Sequence, residues 1–96
     1  MKGNTLREFM DDLIYMGGRE KEFLFRERKY FLQCQPYEDE NFPIEMVVYE
    51  CFGDENYIFR CHGKTFMECV EQFEKAPIFD NLTIYEAEQE IEVLFG

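Results

Sequence analysis

The chain has 96 residues, 46% of them hydrophobic, with 11 Phe and 6 Tyr, and it sets 21 Asp/Glu against 10 Lys/Arg for a net charge of −11. That length bounds one domain over residues 1–96, and the aromatic supply excludes a disordered chain in spite of the charge. The negative field disfavours direct contact with nucleic-acid phosphates, and no stretch approaches the ~18 apolar residues of a membrane span.

Residues 1–16 are broken up by Lys2, Arg7, Glu8, Asp11 and Asp12, so they do not read as an apolar signal core, and a cytoplasmic protein is expected. Thr5 followed by Glu8 is a Thr-x-x-Glu helix start, and Leu6, Phe9, Met10, Leu13 and Ile14 make one apolar face over residues 6–16. Gly17-Gly18 ends that helix, because glycine takes the left-handed backbone of a C-cap. Asp11 and Asp12 flank the stripe and read as solvated.

The period then changes to two. Residues 21–25 and 29–35 predict a hairpin around Arg26-Glu27-Arg28, with Phe23 and Phe25 on one face and Tyr30, Leu32 and Cys34 alternating against Phe31 and Gln33. Residues 36–43 form a loop bounded by Pro36 and Pro43, residues 44–51 a third strand, Gly53 to Asn56 a turn, and residues 57–61 a fourth strand. Two more Thr-x-x-Glu starts follow. Thr65/Glu68 opens a helix over 66–75 with Phe66, Met67, Val70 and Phe73 inward, stopped by Pro77. Thr83/Glu86 opens one over 84–93 with Ile84, Ala87, Ile91 and Leu94 on one side and carboxylates on the other. The expected fold class is α+β: a helix, a four-stranded antiparallel meander, then two helices on one face of the sheet.

The four cysteines, Cys34, Cys51, Cys61 and Cys69, read as reduced thiols packed as small hydrophobes. Cys51, Cys61, His62 and Cys69 lack the paired spacing of a zinc site. His62 directly follows Cys61, and adjacent strand residues point to opposite faces, which argues against a Cys–His nucleophile. No glycine-rich phosphate loop is present, since Gly17-Gly18 follows a helix rather than preceding one. The expectation is therefore a protein without cofactor or metal that is not an enzyme.

Charge is the informative feature. Residues 1–29 hold seven Lys/Arg and six Asp/Glu, whereas residues 30–96 hold three and fifteen. Such a field attracts basic surfaces and speeds encounter with them. The candidate partner-binding residues are Glu38, Asp39 and Glu40, Asp54 and Glu55, and Glu86, Glu88, Glu90 and Glu92. The expected partner is the basic surface of another protein. The alternative is a structural or assembly protein, a homodimer joined through a strand edge or an aromatic patch, with the acidity serving only solubility. Arg26, Arg28 and Lys29 are the basic exception, readable as a second contact patch or as charges that protect the hairpin against aggregation.

Residues 21–35 around the hairpin, together with the closing Asp80-Asn81-Leu82-Thr83 helix start, resemble a group of short acidic proteins from Firmicutes and their phages and mobile elements. The group orders its elements as a leading helix, a small sheet and a closing helix. The resemblance implies an anti-CRISPR-like inhibitor, a nucleic-acid mimic whose carboxylates would block a basic channel of a host nuclease. It assigns no functional residue.

Overall fold

Thr5 starts the first helix as expected: its Oγ1 accepts the Glu8 N–H at 3.2 Å, and α1 (Leu6–Tyr15) follows. The computed structural model describes residues 1–17, 20–50 and 56–95. The next elements are β1 (Lys21–Phe25), β2 (Arg28–Pro36), β3 (Ile44–Glu50), β4 (Asn56–Gly63) and α2 (Phe66–Lys75). The chain closes with a short α3 (Ile84–Ala87), a 3-10 turn (Glu88–Glu90) and β5 (Ile91–Phe95). The turn expected at residues 53–56 lies almost wholly outside the described residues.

The hairpin turn is two residues, Arg26 and Glu27, both left-handed at φ 48° and 65°. That geometry matches the twist of the flanking strands. Gly17 follows α1 with φ 72°, the left-handed glycine predicted for its C-terminus. Of the three Thr-x-x-Glu starts, only Thr83/Glu86 closes both hydrogen bonds of a capping box. Glu68 instead accepts the Lys64 N–H at 2.5 Å, and the Thr5 N–H goes to Asn4 Oδ1 at 2.8 Å.

The sheet has five strands, not four, in the order β4-β3-β2-β1-β5, and every neighbouring pair is antiparallel. The fifth strand replaces the second half of the helix expected over 84–93. A continuous helix would stack Glu86 on Glu90 and Glu88 on Glu92, like charges at i, i+4 with no cation nearby in sequence. As a strand, β-branched Ile91 and Val93 pair against Phe25 and Phe23 and cover an edge of β1 that would otherwise be unpaired. Ile84, Ala87 and Ile91 are buried as expected, but Leu94 is 45% exposed because the chain has by then left the helical period. The outer edge of β5 is partly covered by Lys2, whose N–H donates to the Ile91 carbonyl (2.9 Å) and whose carbonyl accepts from Val93 N–H (2.8 Å). Gly3 permits that approach: its φ is 83°, and a Cβ there would lie 2.6 Å from the Val93 carbonyl oxygen.

One sheet face carries the core. Phe23, Phe25, Tyr30, Leu32, Met46, Val48 and Cys61 are buried against Phe9 and Leu13 of α1 and Cys69, Val70 and Phe73 of α2. Phe79, after α2, sits at the centre, with ring centroids 5.4–6.2 Å from Phe25, Phe23, Tyr30 and Phe73. Each buried ring of this kind contributes about 1.5–3 kcal/mol of hydrophobic stabilisation. Met67, expected inward, is 45% exposed. Asp12, expected to be solvated, is half-buried and pairs with the fully buried ammonium of Lys21, which also lies 5.3 Å from the Phe9 ring centroid. A buried cation needs such a partner, and this pair ties α1 to β1.

Candidate protein interface

The acidic residues singled out by sequence do not gather in one place. Glu38, Asp39 and Glu40 lie exposed in the β2–β3 loop. There Asp39 Oδ1 accepts the Asn41 and Phe42 N–H groups at 2.8 and 3.3 Å, so one of the three carboxylates shapes the loop. Tyr37, at the start of that loop, stacks on His62 with ring centroids 3.9 Å apart. Asp54 and Glu55 lie outside the described residues. Glu86 is occupied by the Thr83 N–H at 3.0 Å. Glu88 is half-buried in the 3-10 turn. Glu90 accepts two bonds from Arg26, at 2.9 and 2.8 Å. Glu92, on β5, is 3.8 Å from Lys2. The run 86–92 is thus divided among a helix, a 3-10 turn and a strand, and three of its four carboxylates, Glu86, Glu90 and Glu92, are engaged inside the fold.

The basic hairpin explains part of this. Arg26 and Arg28 both reach Asp80, at 3.3 and 2.5 Å, and Arg28 lies 3.8 Å from Glu50. Asp80 and Asn81 form a turn with φ 52° and 68° that places this carboxylate between the two guanidinium groups. The Arg28 hydrogen bond, helped by Arg26, holds the Asp80 carboxyl below the usual range, and the Arg26 hydrogen bond does the same for Glu90. Lys29 pairs with Glu22. These cations neutralise neighbouring carboxylates of the same chain.

The described carboxylates without an ion pair are spread over the β2–β3 loop, the α3 segment and the helices, and α2 carries three of them, Glu68, Glu71 and Glu74. Met67, Val70, Glu71 and Glu74 recur at three- and four-residue spacing and share a face of α2. That face and α1 border a cleft of about 520 Å³. Its apolar lining is Leu6, Met10 and Ile14 from α1, Met67 and Val70 from α2, and Tyr85 from α3. Its charged lining is Asp11, Glu71 and Glu74 against Arg7 alone. Arg7 is itself 3.8 Å from Asp11. The Tyr85 hydroxyl donates to Glu74 at 2.6 Å, and this bond, with partial burial and the Glu74 charge, raises the phenol above its ordinary value. No partner engages the Glu71 carboxylate among the described residues. The sequence held a signal for this site, since Met67 and Val70 flank the Glu68, Glu71, Glu74 series, but Met67 reads equally well as core.

The opposite sheet face has a different character. Phe31, Tyr49 and Tyr57 form a ladder across β2, β3 and β4, with centroids 5.7 and 5.5 Å apart. A bulge at Ile58 turns Tyr57 onto this side, where the Arg60 guanidinium lies 4.7 Å from its ring centroid. Glu45 is buried here. Burial works against its charge, but hydrogen bonds from His62 (2.8 Å) and Gln35 (2.5 Å) and the charge of Arg60 (3.6 Å) together hold the carboxyl below its ordinary value.

The described cysteines keep to the core side, and Cys51 lies outside the described residues. Cys34, Cys61 and Cys69 are free thiols. Burial pushes Cys34 up to about 12, and within the buried Cys61–Cys69 pair the shared hydrogen bond raises Cys61 and lowers Cys69. His62 faces away from Cys61, toward Glu45. Among the described residues no group of three or more His, Cys, Asp or Glu could hold a metal ion, and no helix is long and apolar enough to cross a membrane.

Fold and site together define an α+β domain: a five-stranded antiparallel sheet with helices on one face and an acid-rimmed cleft between two of them. No protein-family model, no curated protein and no solved structure matches the chain.

Proposed function

We propose that this domain is a non-enzymatic docking protein that binds a basic, amphipathic segment of another protein in the α1–α2 cleft. The observation that carries the reading is the cleft's composition. Its floor is apolar, its rim holds Asp11, Glu71 and Glu74 against Arg7, and the chain behind it has a net charge of −11. An apolar helix face flanked by Lys or Arg complements both parts at once. The apolar side chains enter the cleft and the cations meet the rim. A nucleic acid would meet the same rim with phosphates and be repelled. A basic channel that otherwise holds phosphates is one surface that presents such segments, and docking there would inhibit its owner. This is the role implied by the resemblance to mobile-element inhibitors.

The test is titration of a fluorescent amphipathic helical peptide with Lys/Arg flanks. Wild-type protein is expected to bind it, and the double variant Glu71→Lys/Glu74→Lys to bind it at least tenfold more weakly, about 1.4 kcal/mol. Equal affinity for the two proteins, or no binding to either, would refute the cleft as a basic-peptide site.

A further inference from the structure

We propose that the sheet face opposite the helices is a self-association surface, on which a second copy of this chain packs to form a symmetric dimer. Three observations on this face point to the occupant.

The first is charge. Each carboxylate that the described strands place here has a cation beside it: Glu22 has Lys29, Glu45 has Arg60, and Glu92 has Lys2. Two chains that each carry −11 can therefore meet on this side without opposing bare carboxylates, whereas the acid-rimmed helical side would repel its own copy.

The second is chemistry. The Phe31–Tyr49–Tyr57 ladder crosses three adjacent strands, with Tyr57 44% exposed, and no described element covers it. Aromatic rings with a polar tip are the residues enriched where protein surfaces pair. A two-fold axis at Tyr49, the middle ring, would set Tyr49 against its own copy and Phe31 against Tyr57 in both directions, the reciprocal contacts of an isologous interface.

The third is size. Five strands spaced ~4.8 Å apart and five to nine residues long give a footprint of roughly 500 Å². This approaches the ~800 Å² per partner of a standard interface, so the dimer forms in a concentration-dependent way. The arrangement leaves the α1–α2 clefts free on the two outer sides, where they could engage a repeated partner bivalently.

Sedimentation equilibrium of the full chain tests the proposal. A monomer–dimer equilibrium is expected, and raising the salt should strengthen it, because screening removes the residual repulsion between two negative chains. Tyr57→Lys should lose the dimer, with circular dichroism confirming an intact fold. Tyr57→Phe should keep it, and so should Tyr85→Lys on the helical side. A monomer at all concentrations up to about 1 mM, a dimer that survives Tyr57→Lys in the folded protein, or one lost in Tyr85→Lys would each overturn it. So would a dimer that dissociates as salt rises.

Discussion

The two sides of the sheet treat their carboxylates in opposite ways. On the open side, Glu22, Glu45 and Glu92 each sit beside a cation from a neighbouring strand or from the N-terminal segment. On the helical side, the cleft rim sets three carboxylates against one arginine, and Glu71 has no described partner. Net charge is a property of the whole chain, but a partner meets only the charge that the fold leaves unanswered. The hairpin cations show how much the fold can absorb. Arg26, Arg28 and Lys29 lie close together in sequence, yet they are distributed over Asp80, Glu90, Glu50 and Glu22.

The contrast can be broken at its root by removing what both sides rest on. Phe79 is fully buried among four other rings, and Phe79→Ala should cost about 3–5 kcal/mol by urea denaturation. That is a large share of the total stability of a domain this size, and both sides should fail together.

A sharper cut compares one carboxylate from each side. Glu45→Ala strands His62, Gln35 and Arg60 and should destabilise by about 1–3 kcal/mol. Glu71→Ala on the cleft rim should change stability by less than about 0.5 kcal/mol while weakening peptide binding. Comparable losses for the two variants in the same denaturation experiment would remove the distinction.

The smallest effect is read from pH. The folded state holds Asp80, Glu90 and Glu45 below their ordinary values. Their contribution is therefore complete above the ordinary carboxylate range and is lost as pH falls from about 4 through the folded values. Asp80→Asn should lower stability slightly at pH 7 and flatten its decline in acid. An unchanged acid profile would mean that the arginine pairs do not bias folding.

Much of this architecture was legible in the sequence because local signals agreed with the fold. The apolar stripes of α1 and α2, the hairpin alternation from Lys21 onward and the threonine caps all rest on contacts within a few residues. The fifth strand was not legible, because Ile84, Ala87 and Ile91 are buried in either reading. What decides for a strand is the free edge of β1, more than sixty residues away in sequence. The candidate site was less legible still. Carboxylates at 86, 88, 90 and 92 form the densest acidic run, but density does not reveal that Arg26 will arrive from the hairpin to take Glu90. The cleft carboxylates Glu71 and Glu74 are ordinary for an exposed helix. They gain meaning only when α1 packs alongside and exposed Met67 becomes part of a cleft wall.

The most direct test is the affinity of the basic amphipathic peptide for wild-type protein, measured by calorimetry across a salt series from about 0.05 to 0.5 M, over which exposed charges become progressively screened. An uncompensated acidic rim predicts affinity that falls steadily with salt and a slope that shrinks in Glu71→Lys/Glu74→Lys. Affinity that holds constant across the series, or a slope unaltered in the double variant, would contradict it.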